Sequence, residues 1–403
     1  MISLERAQQI VRDGVSVKTP VVVPIRDALG CVLAHDVVAR EAIPPFANSS
    51  MDGYALRAKD TGVAPSRLRV IGEIAAGATP TRTVGAGEAM RIMTGAPMPD
   101  GADAVIMVED STAEGDEVVL SSVAAVGQSV RNVGDDVAIG DTVLIAGTVL
   151  RPAHLGVLAS LGELHVEVFP RITVGVISSG DELVEDGSPL KPGQIREANK
   201  ELLLALVERA NAIPVDLGLV RDNEEELVSA FLDAIGRCDA LVTSGGVSMG
   251  DYDLVKVTLN RLGEMQWMQI AIQPAKPFAF GQLQHGERAV PVFGLPGNPV
   301  SSMVSFELIA RPAILKMMGH QDLDRALVPA IADAPLRRRP GDGKVNWQRV
   351  VALRGEDGRV HVKSTGAQGS HQLANSAGAN AFARLDDGPG VESGDEVLVV
   401  LLD

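Results

Sequence analysis

Residues 243–253 read TSGGVSMGDYD and stand between an apolar run, DALVTS, and a helical pattern, LVKVTLNRLG. A strand that passes through a glycine-rich turn into a helix is the repeating unit of a parallel α/β sheet. The turn itself has three interpretations: it binds an anion through backbone amides, it binds a cation through Asp251 and Asp253, or it is only a turn. The rest of the sequence narrows this choice.

The segment from residue 169 to residue 318 alternates in the same way. Apolar strands are predicted at ITVGVI, IPVDLGLV, DALVTS and PVFGL. Helical patterns follow at NKELLLALVERANA, with Asn199 as the N-cap, at NEEELVSAFLDAIG, and after LPGNP, where Asn298 is the cap and Pro299 stands in the first turn. We therefore predict a central three-layer α/β domain over 169–318 with a mostly parallel sheet.

Two β-rich regions flank this domain. Residues 46–131 contain short strand-like runs such as RLRVIGEI and DEVVLSS, broken by Gly, Pro and Asp, and predict an inserted β domain. Residues 1–45 and 132–168 then form one discontinuous domain, with an amphipathic helix near the N-terminus and a short helix at HLGVLASLG. Residues 319–403 carry a hairpin signal at Asp357-Gly358 and predict a small barrel-like C-terminal domain.

The composition excludes several classes of function. The chain has 403 residues, enough for several domains, and a formal net charge of −16. It has no basic run beyond 337–339, so nucleic acid is not expected as a partner. The two cysteines, Cys31 and Cys238, and the seven histidines show neither a disulfide framework nor zinc-site spacing. Since no membrane span and no signal peptide are recognisable, we expect a cytoplasmic protein without membrane contact.

Four loops of the predicted α/β domain follow strands and therefore lie at the carboxyl edge of the sheet, where ligands bind in such folds. They are SSGDEL (178–183), RDN (221–223), TSGGVSMGDYD (243–253) and LPGNP (295–299). They bring together serines, glycines and acids, namely Ser178, Ser179, Gly180, Asp181, Glu182, Asp222, Ser244, Gly245, Gly246, Ser248, Asp251, Asp253 and Gly297. Glycine amides suit phosphate oxygens, whereas clustered carboxylates repel them unless a hard cation such as Mg²⁺ bridges the two. This edge is therefore predicted to bind a phosphorylated ligand with a divalent metal.

Each of these residues also has a purely structural interpretation. Asp222 or Asn223 would cap the next helix, and Asp253 would cap the helix after it. Turns such as SGG and PGNP predict little by themselves, so the hypothesis depends on their convergence at one edge. Outside these four loops, the residues that are either ligand contacts or ordinary loop positions are Asp52 in PPFANSSMDGYAL, Thr94 in RIMTGAPMPDGADAV, Asp136 in RNVGDDVAIGD and Lys276 in QPAKPFAFG.

Seven segments, in order along most of the chain, resemble the MoeA family of molybdopterin molybdenumtransferases, to which the C-terminal domain of gephyrin is related. They are NSSMDGYA, RIMTGAPMPDGADAVIMVED, VGDDVAIGDTVL, GVISSGDEL, TSGGVSMGDYD, KPFAFG and LPGNPVSSMVSFE. The resemblance implies four domains and an elongated homodimer, in which the discontinuous N-terminal domain serves dimerisation. It also implies Mg²⁺-dependent hydrolysis of adenylyl-molybdopterin, release of AMP, and ligation of molybdate to the dithiolene sulfurs. The implied protein partners are the adenylyltransferase and the molybdoenzymes.

The resemblance also assigns site residues. By motif, the acids important in the family fall on Asp52, Asp136, Glu182, Asp222 and Asp253, which are implied to be catalytic. Independently of the resemblance, we hypothesise that Asp222, Asp251 and Asp253, with Glu182, hold Mg²⁺ or position the water. The residues expected to contact the pterin nucleotide are Thr94, Ser179, Gly180, Ser244, Gly245, Gly246, Ser248, Lys276, Pro296, Gly297 and Pro299. Molybdate would enter near Asp52, Thr94 and Asp136.

One stretch departs from the family pattern. Gln269 and Gln273 stand in QIAIQPAKP where many members carry lysines, so these two positions supply hydrogen bonds but no charge. Lys276 keeps its charge, and Arg349 in NWQR is a further cation from the C-terminal domain.

Three other functions stay open at this stage. A tungsten-inserting paralogue would have the same sequence pattern, because molybdate and tungstate are tetrahedral dianions of similar size. A non-catalytic scaffold that binds pterin or a protein would not need the acids. A nucleotide hydrolase would use the same α/β domain without a pterin.

Overall fold

The computed structural model describes residues 1–245 and 254–402. The chain folds into two units. The large unit consists of Met1–Val21, Gly30–Val32 and Val168–Asp403, and the small unit of Val22–Leu29 and Leu33–Glu167. No helix within the described ranges is long and apolar enough to cross a membrane.

The chain begins with a helix and four short strands. They are α1 (Leu4–Asp13), β1 (Val21–Pro24), β2 (Val32–Leu33), β3 (Val37–Val38) and β4 (Asn48–Ser49). Helix α1 starts after Ser3, whose hydroxyl accepts from the amide of Arg6, and it buries Ala7 and Val11 as its amphipathic pattern predicts.

The small unit is built on a six-stranded sheet with the order β8-β5-β7-β6-β10-β9. Its strands are β5 (Gly53–Leu56), β6 (Ser66–Ile74), β7 (Glu88–Ile92), β8 (Ala104–Met107), β9 (Ser111–Glu114) and β10 (Glu117–Leu120). Tyr54 and Leu56 pack into one apolar cluster and Ala55 into another, so both faces of the sheet are covered. The elements that follow are β11 (Val130–Arg131), β12 (Thr142–Leu144), α2 (Pro152–Ser160) and β13 (His165–Phe169).

The large unit contains the predicted α/β sheet. Its elements are β14 (Thr173–Ser179), β15 (Leu183–Val184), β16 (Ile195–Arg196), α3 (Asn199–Arg209), β17 (Ile213–Val220), α4 (Glu224–Arg237), β18 (Ala240–Ser244), α5 (Leu254–Leu262), β19 (Gly263–Gln269), β20 (Ile272–Gln273), β21 (Pro277–His285), β22 (Arg288–Leu295), α6 (Pro299–Ser305), a π-helical turn (Phe306–Ala310) and α7 (Arg311–Met317). The sheet order is β17-β14-β18-β22-β21-β19. The first four strands are parallel and the last two antiparallel, which confirms a mostly parallel sheet.

Helices cover both faces of this sheet. Val176 on one face shares an apolar cluster with Leu203 of α3. Leu241 on the other face shares a cluster with Phe231 of α4 and Val255 of α5. Such burial on both sides is what makes the strands almost continuously apolar, and it gives the predicted three layers.

The start of α3 corrects one prediction. Asn199 was expected to be the N-cap, but it is the first residue of the helix. The carboxylate of Glu197 accepts from the backbone N of Asn199 at 3.0 Å and from that of Lys200 at 2.9 Å. Glu197 therefore satisfies the first amides of the helix, and the buried Asn199 side chain bonds elsewhere.

The C-terminal part contains seven strands, five of which close into a barrel, while β24 and β28 pair with each other. Its strands are β23 (Leu327–Ala332), β24 (Leu336–Arg337), β25 (Val345–Arg354), β26 (Val360–Ser364), β27 (Ala381–Leu385), β28 (Gly390–Val391) and β29 (Glu396–Leu401). The ring runs β25-β26-β23-β29-β27 and returns to β25, while β20 pairs on its outside. Gly358 has φ +79° at the turn between β25 and β26, which confirms the hairpin predicted at Asp357-Gly358.

Candidate functional site

The loops predicted to converge do begin side by side. Strands β14, β17, β18 and β22 are adjacent and parallel, so their carboxyl ends share one edge of the sheet. Gly180 N donates to Val220 O at 3.3 Å, and Gly245 N donates to Leu295 O at 3.1 Å. We call this edge the glycine rim, consisting of residues 178–183, 221–223, 244–245 and 295–299.

Three of the strand ends approach each other closely at the glycine rim. A Cβ atom on Gly245 would lie 3.4 Å from Ser179 O, and one on Gly297 would lie 3.8 Å from the Gly245 Cα. Gly245 also has φ +93°, a backbone conformation that favours glycine. The backbone at these positions can therefore approach a ligand without intervening side chains.

The buried side chain of Asn199 links two strand ends at the glycine rim. The Asn199 side-chain amide donates to Ser244 Oγ at 2.6 Å and to Gly297 O at 2.8 Å. Ser178 Oγ donates to Glu197 Oε1 at 3.0 Å. The ends of β14 and β18 and the turn after β22 are thus fixed to the start of α3. The sequence did not predict this role for Asn199, because its partners Ser244 and Gly297 lie 45 and 98 residues away. It did not predict the role of Glu197 either, whose partner Ser178 lies 19 residues away.

Two of the four predicted metal ligands, Glu182 and Asp222, lie on the described part of the rim. Glu182 is exposed, and its Oε2 lies 2.7 Å from the position that a Cβ on Gly180 would occupy. Asn223 Oδ1 accepts from the Glu226 amide at 3.1 Å, so Asn223 caps α4 and Asp222 does not. The Asp222 amide donates to Asp181 Oδ1 at 3.3 Å.

The other two predicted metal ligands, Asp251 and Asp253, lie outside the described residues, as do Gly246 and Ser248. Within residues 1–245 and 254–402, no three His, Cys, Asp or Glu side chains gather in a way that could hold a metal ion. Mg²⁺ in nucleotide sites commonly uses one or two carboxylates and completes its shell with phosphate oxygens and water. Glu182 and Asp222 fit that arrangement in number and in donor type.

The remaining predicted contacts of the large unit lie at the same edge. Pro299 opens α6, and Ser302 Oγ donates to Pro296 O, which fixes the turn between them. Lys276 is exposed and immediately precedes β21, which runs antiparallel to β22. The start of β21 therefore lies beside the end of β22, which places Lys276 at the same edge of the sheet.

Arg349 has a different role from the one expected. It is buried, with 1% of its surface exposed, and this burial lowers the pKa of its guanidinium. All its N–H groups are engaged, with acceptors in the 367–376 segment: Gln368 Oε1, Gln372 O, Ser376 Oγ, Ala367 O and Gly369 O. In the same segment, Ser370 O accepts from Val300 N in the first turn of α6. Arg349 therefore positions a loop against the rim, a contact that no quoted motif predicted.

In the small unit, Asp52 and Thr94 contact each other directly. Asp52 Oδ1 accepts from Thr94 N at 2.6 Å and from Thr94 Oγ1 at 2.8 Å. These bonds, the backbone one first, hold the pKa of Asp52 below its usual value, with a smaller contribution from the charge of Arg91. Arg91, which the sequence analysis missed, lies over the Tyr54 ring at 5.1 Å.

Asp136 lies in the same unit as this pair. Its backbone N donates to Ile43 O at 3.0 Å, and its side chain is exposed. The neighbouring Asp135 accepts from Asn132 N at 2.6 Å and is the turn residue of the two. Among the described residues, no hydrogen bond joins Asp136 to Asp52 or Thr94.

Comparison with known proteins gives matches along nearly the whole chain. Residues 2–162 match the MoeA N-terminal region (domain I and II), residues 175–316 a probable molybdopterin binding domain, and residues 332–402 the MoeA C-terminal region (domain IV). The chain is 38% identical to the molybdopterin molybdenumtransferase of Haemophilus influenzae over 378 residues, which is 93% of this chain and 92% of that protein.

Two further relatives extend this likeness. Molybdopterin molybdenumtransferase 2 of Mycobacterium tuberculosis H37Rv is 38% identical over 398 residues, 96% of each chain. A crystal structure of the molybdopterin biosynthesis moeA protein from Pyrococcus horikoshii OT3 matches with a TM-score of 0.80 at 32% identity and covers 100% of both chains.

Proposed function

The chain belongs to the MoeA family, and we propose that it transfers molybdenum to molybdopterin by a reaction at the glycine rim. Relatives that match it over more than nine-tenths of its length are named molybdopterin molybdenumtransferases. It is accordingly an enzyme, a transferase of molybdenum cofactor biosynthesis. The proposal concerns how this chain carries out that transfer.

The proposal rests on one observation. Glycine backbone without side chains and carboxylate groups converge at one edge of the α/β sheet. Ser179, Gly245 and Gly297 bring three strand ends into near contact, and Glu182 and Asp222 follow two of the same strands. We propose that the glycine turns bind the pterin and the phosphates of adenylyl-molybdopterin. The two carboxylates would hold Mg²⁺ or position the attacking water. When bound, Mg²⁺ would neutralise charge on the phosphoanhydride as it breaks.

The hydrolysis itself needs no covalent intermediate with the protein. Water supplies the oxygen of the new P–O bond, the phosphoanhydride P–O bond breaks, and AMP leaves. Glu182 is the acid that we expect to orient this water, because its carboxylate lies against the backbone of Gly180 and projects at the rim. Lys276 would then contact a phosphate oxygen from the opposite end of the rim.

Molybdate is the second substrate, and we propose that Asp52, Thr94 and Asp136 belong to its pocket. A lone carboxylate would repel a dianion, so Asp52 acts on Thr94 rather than on molybdate. Asp52 fixes the Thr94 hydroxyl by accepting its hydrogen bond, and Arg91 supplies positive charge beside the pair. The two dithiolene sulfurs then bond to molybdenum, one Mo–O bond of molybdate breaks, and that oxygen leaves as water with the two sulfur protons.

The experiment is to incubate the full chain with adenylyl-molybdopterin, Mg²⁺ and molybdate, and to measure both AMP release and active cofactor. The proposal predicts that both products form, and that cofactor formation requires molybdate. AMP release without any cofactor would contradict a transferase and favour hydrolysis of nucleotides alone. The absence of both products would favour a pterin-binding scaffold. Replacing molybdate by an equal mixture of molybdate and tungstate decides which metal is preferred.

A further inference from the structure

A buried lysine near the glycine rim has no role in the reaction as described so far. Lys200 is the second residue of α3, next to Asn199, and its side chain is only 8% exposed. Its ammonium contacts two carboxylates, Glu185 Oε2 at 2.5 Å and Asp216 Oδ2 at 3.2 Å. Lysine is rarely buried unless its charge is paired, because removing an ammonium from water is costly. The two contacts therefore account for the burial of Lys200, and they join α3 to two other elements.

Lys200 keeps its charge in spite of this burial. Burial by itself would lower the pKa of the ammonium, but the hydrogen bonds that it donates to Glu185 and Asp216, together with the charges of both acids, raise the pKa above its ordinary value. The positive charge holds both carboxylates within hydrogen-bond reach of one nitrogen atom. Without that charge, the two carboxylates would repel each other.

Asp216 is the fixed end of this bridge. It belongs to β17, and its Oδ1 accepts from Gly218 N at 2.7 Å. Gly218 has φ +83°, and the pairing of β14 with β17 shifts its register between Val176 and Ser178, as in a β-bulge. One carboxylate oxygen of Asp216 is thus bonded to the backbone of its own strand, and the other is bonded to Lys200.

Glu185 is the other end of the bridge, and it lies close to Glu182 in the chain. Glu182 directly precedes β15 and Glu185 directly follows it. The backbone of Glu182 is held by Ile195 N, which donates to Glu182 O at 2.8 Å. The Glu185 side chain is 43% exposed, so its ion pair with Lys200 is the contact that ties this end of β15 to the α/β sheet.

We propose that Lys200 is a positioning residue for the hydrolysis step, because it fixes the strand next to Glu182 relative to the glycine rim. The inference rests on the proposed function, in which the Glu182 carboxylate orients the attacking water. Lys200 itself contacts neither the substrate nor this water. It sets the position of Glu182, and a displacement of about 1 Å at a catalytic group can slow a reaction by about 100-fold.

The test compares kcat and KM for AMP release from adenylyl-molybdopterin, with Mg²⁺ present, in the full chain and its variants. Lys200→Met should lower kcat by about tenfold and leave KM unchanged, because Lys200 does not bind the substrate. Lys200→Arg should restore most of the rate, since a guanidinium can also bridge two carboxylates. The control is Lys18→Met, which removes the pair with Asp239 at the opposite end of β18 and should keep the wild-type kcat.

Glu185→Ala cuts the same bridge at its exposed end, so it tests the proposal even where the buried Lys200→Met substitution prevents folding. It should lower kcat in the same direction. Wild-type kcat in Glu185→Ala, or a rise in KM without a fall in kcat, would overturn the positioning role.

A double-mutant cycle separates positioning of Glu182 from a general structural role. If Lys200 and Glu185 act through Glu182, neither Lys200→Met nor Glu185→Ala should slow AMP release further in a Glu182→Gln background. A further tenfold loss there would show that the bridge acts elsewhere, and it would overturn this inference alone. Wild-type AMP release by Glu182→Gln by itself would instead overturn the proposed role of Glu182, on which the inference rests.

Discussion

At the scale of single residues, Asp52 is proposed to act through Thr94, without touching the reacting group. Its carboxylate accepts two hydrogen bonds from Thr94, one from the backbone and one from the hydroxyl. A carboxylate held in this way remains charged at a lower pH than an ordinary aspartate, and it fixes the hydroxyl rotamer of its partner. The residue types in the two motifs predicted a polar pocket, but only the antiparallel pairing of β5 with β7 explains why these two residues meet.

The Thr94→Val variant tests this pair. Loss of the hydroxyl donor should raise the pKa of Asp52 toward its ordinary value of about 3.9, while the backbone bond from residue 94 keeps part of the shift. Because the folded-state pKa is depressed, the stability that this bond contributes is present above pH 4 and is lost as the pH falls through the folded value. Carboxyl carbon chemical shifts followed by NMR report the pKa directly. An identical Asp52 titration in both proteins would refute the role of the hydroxyl.

Gly180 offers a second test at this scale. Its φ is +149°, and a methyl group there would lie 2.7 Å from Glu182 Oε2. Gly180→Ala should therefore displace the Glu182 carboxylate and slow AMP release by about tenfold or more, in addition to a backbone strain of about 1–3 kcal/mol. The matched control is Gly286→Ala, where φ is also positive but no atom lies within 4 Å of the new methyl group. Equal AMP release rates in the two variants would show that Glu182 is not where the chemistry occurs.

At the scale of secondary-structure elements, the start of α3 organises the rim. One amide side chain, that of Asn199, joins the end of β18 to the turn after β22. The orientation of this amide is fixed, because Gly297 O can only accept and would repel an oxygen in place of the Nδ2 group. Three elements that are distant in sequence thus depend on one buried side chain.

The Asn199→Asp variant puts this dependence to the test. It keeps the shape but places a carboxylate oxygen against Gly297 O, which leaves buried acceptors unpaired and should cost about 1–3 kcal/mol of unfolding free energy. Urea unfolding monitored by tryptophan fluorescence measures the change. Asn132→Asp, at an exposed position, is the control and should change stability little. If the two variants were equally stable, the Asn199 bonds would not be holding the rim.

The elements themselves were largely predictable, and the exceptions have a physical cause. Strands such as β14, β18 and β22 are buried on both faces, so apolar runs of the right length identify them. Helix α4 has its periodicity and its Asn223 cap within one local stretch. Asn199 was mispredicted as a cap because its real acceptor, Gly297, is 98 residues away, and local sequence carries no information about such a competitor.

At the scale of the whole molecule, the strand pattern of residues 319–403 predicted a small barrel-like domain but not how it closes. The closed C-terminal barrel requires β25 to pair with both β26 and β27, and no single hairpin signal specifies such closure. Arg349 was expected to supply charge, yet burial and its bonds to the 367–376 segment make it a positioning residue. The position of Arg349 in the sequence therefore did not show what its side chain contacts.

The homodimer implied by the family resemblance gives a prediction at this scale. The small unit exposes several large apolar side chains, including Ile139 at 70%, Ile145 at 64% and Leu164 at 64%. Surfaces of this kind often mark protein–protein contacts. We expect sedimentation equilibrium to show a dimer for the wild-type chain and a shift toward monomer for Ile145→Asp. The control is Leu353→Asp in the barrel, also at an exposed apolar position, which should remain dimeric. A monomeric wild-type chain would contradict the expectation.

The most direct test of the central claim, that the reaction occurs at the glycine rim, is the rate of AMP release from adenylyl-molybdopterin by the Glu182→Gln variant. Both Glu182 and Glu356 are exposed, so Glu356→Gln, in the β25–β26 turn, is the matched control. We predict that Glu182→Gln slows AMP release by about 100-fold while the control retains the wild-type rate. Wild-type release by the Glu182→Gln variant would contradict the assignment of the chemistry to this edge of the sheet.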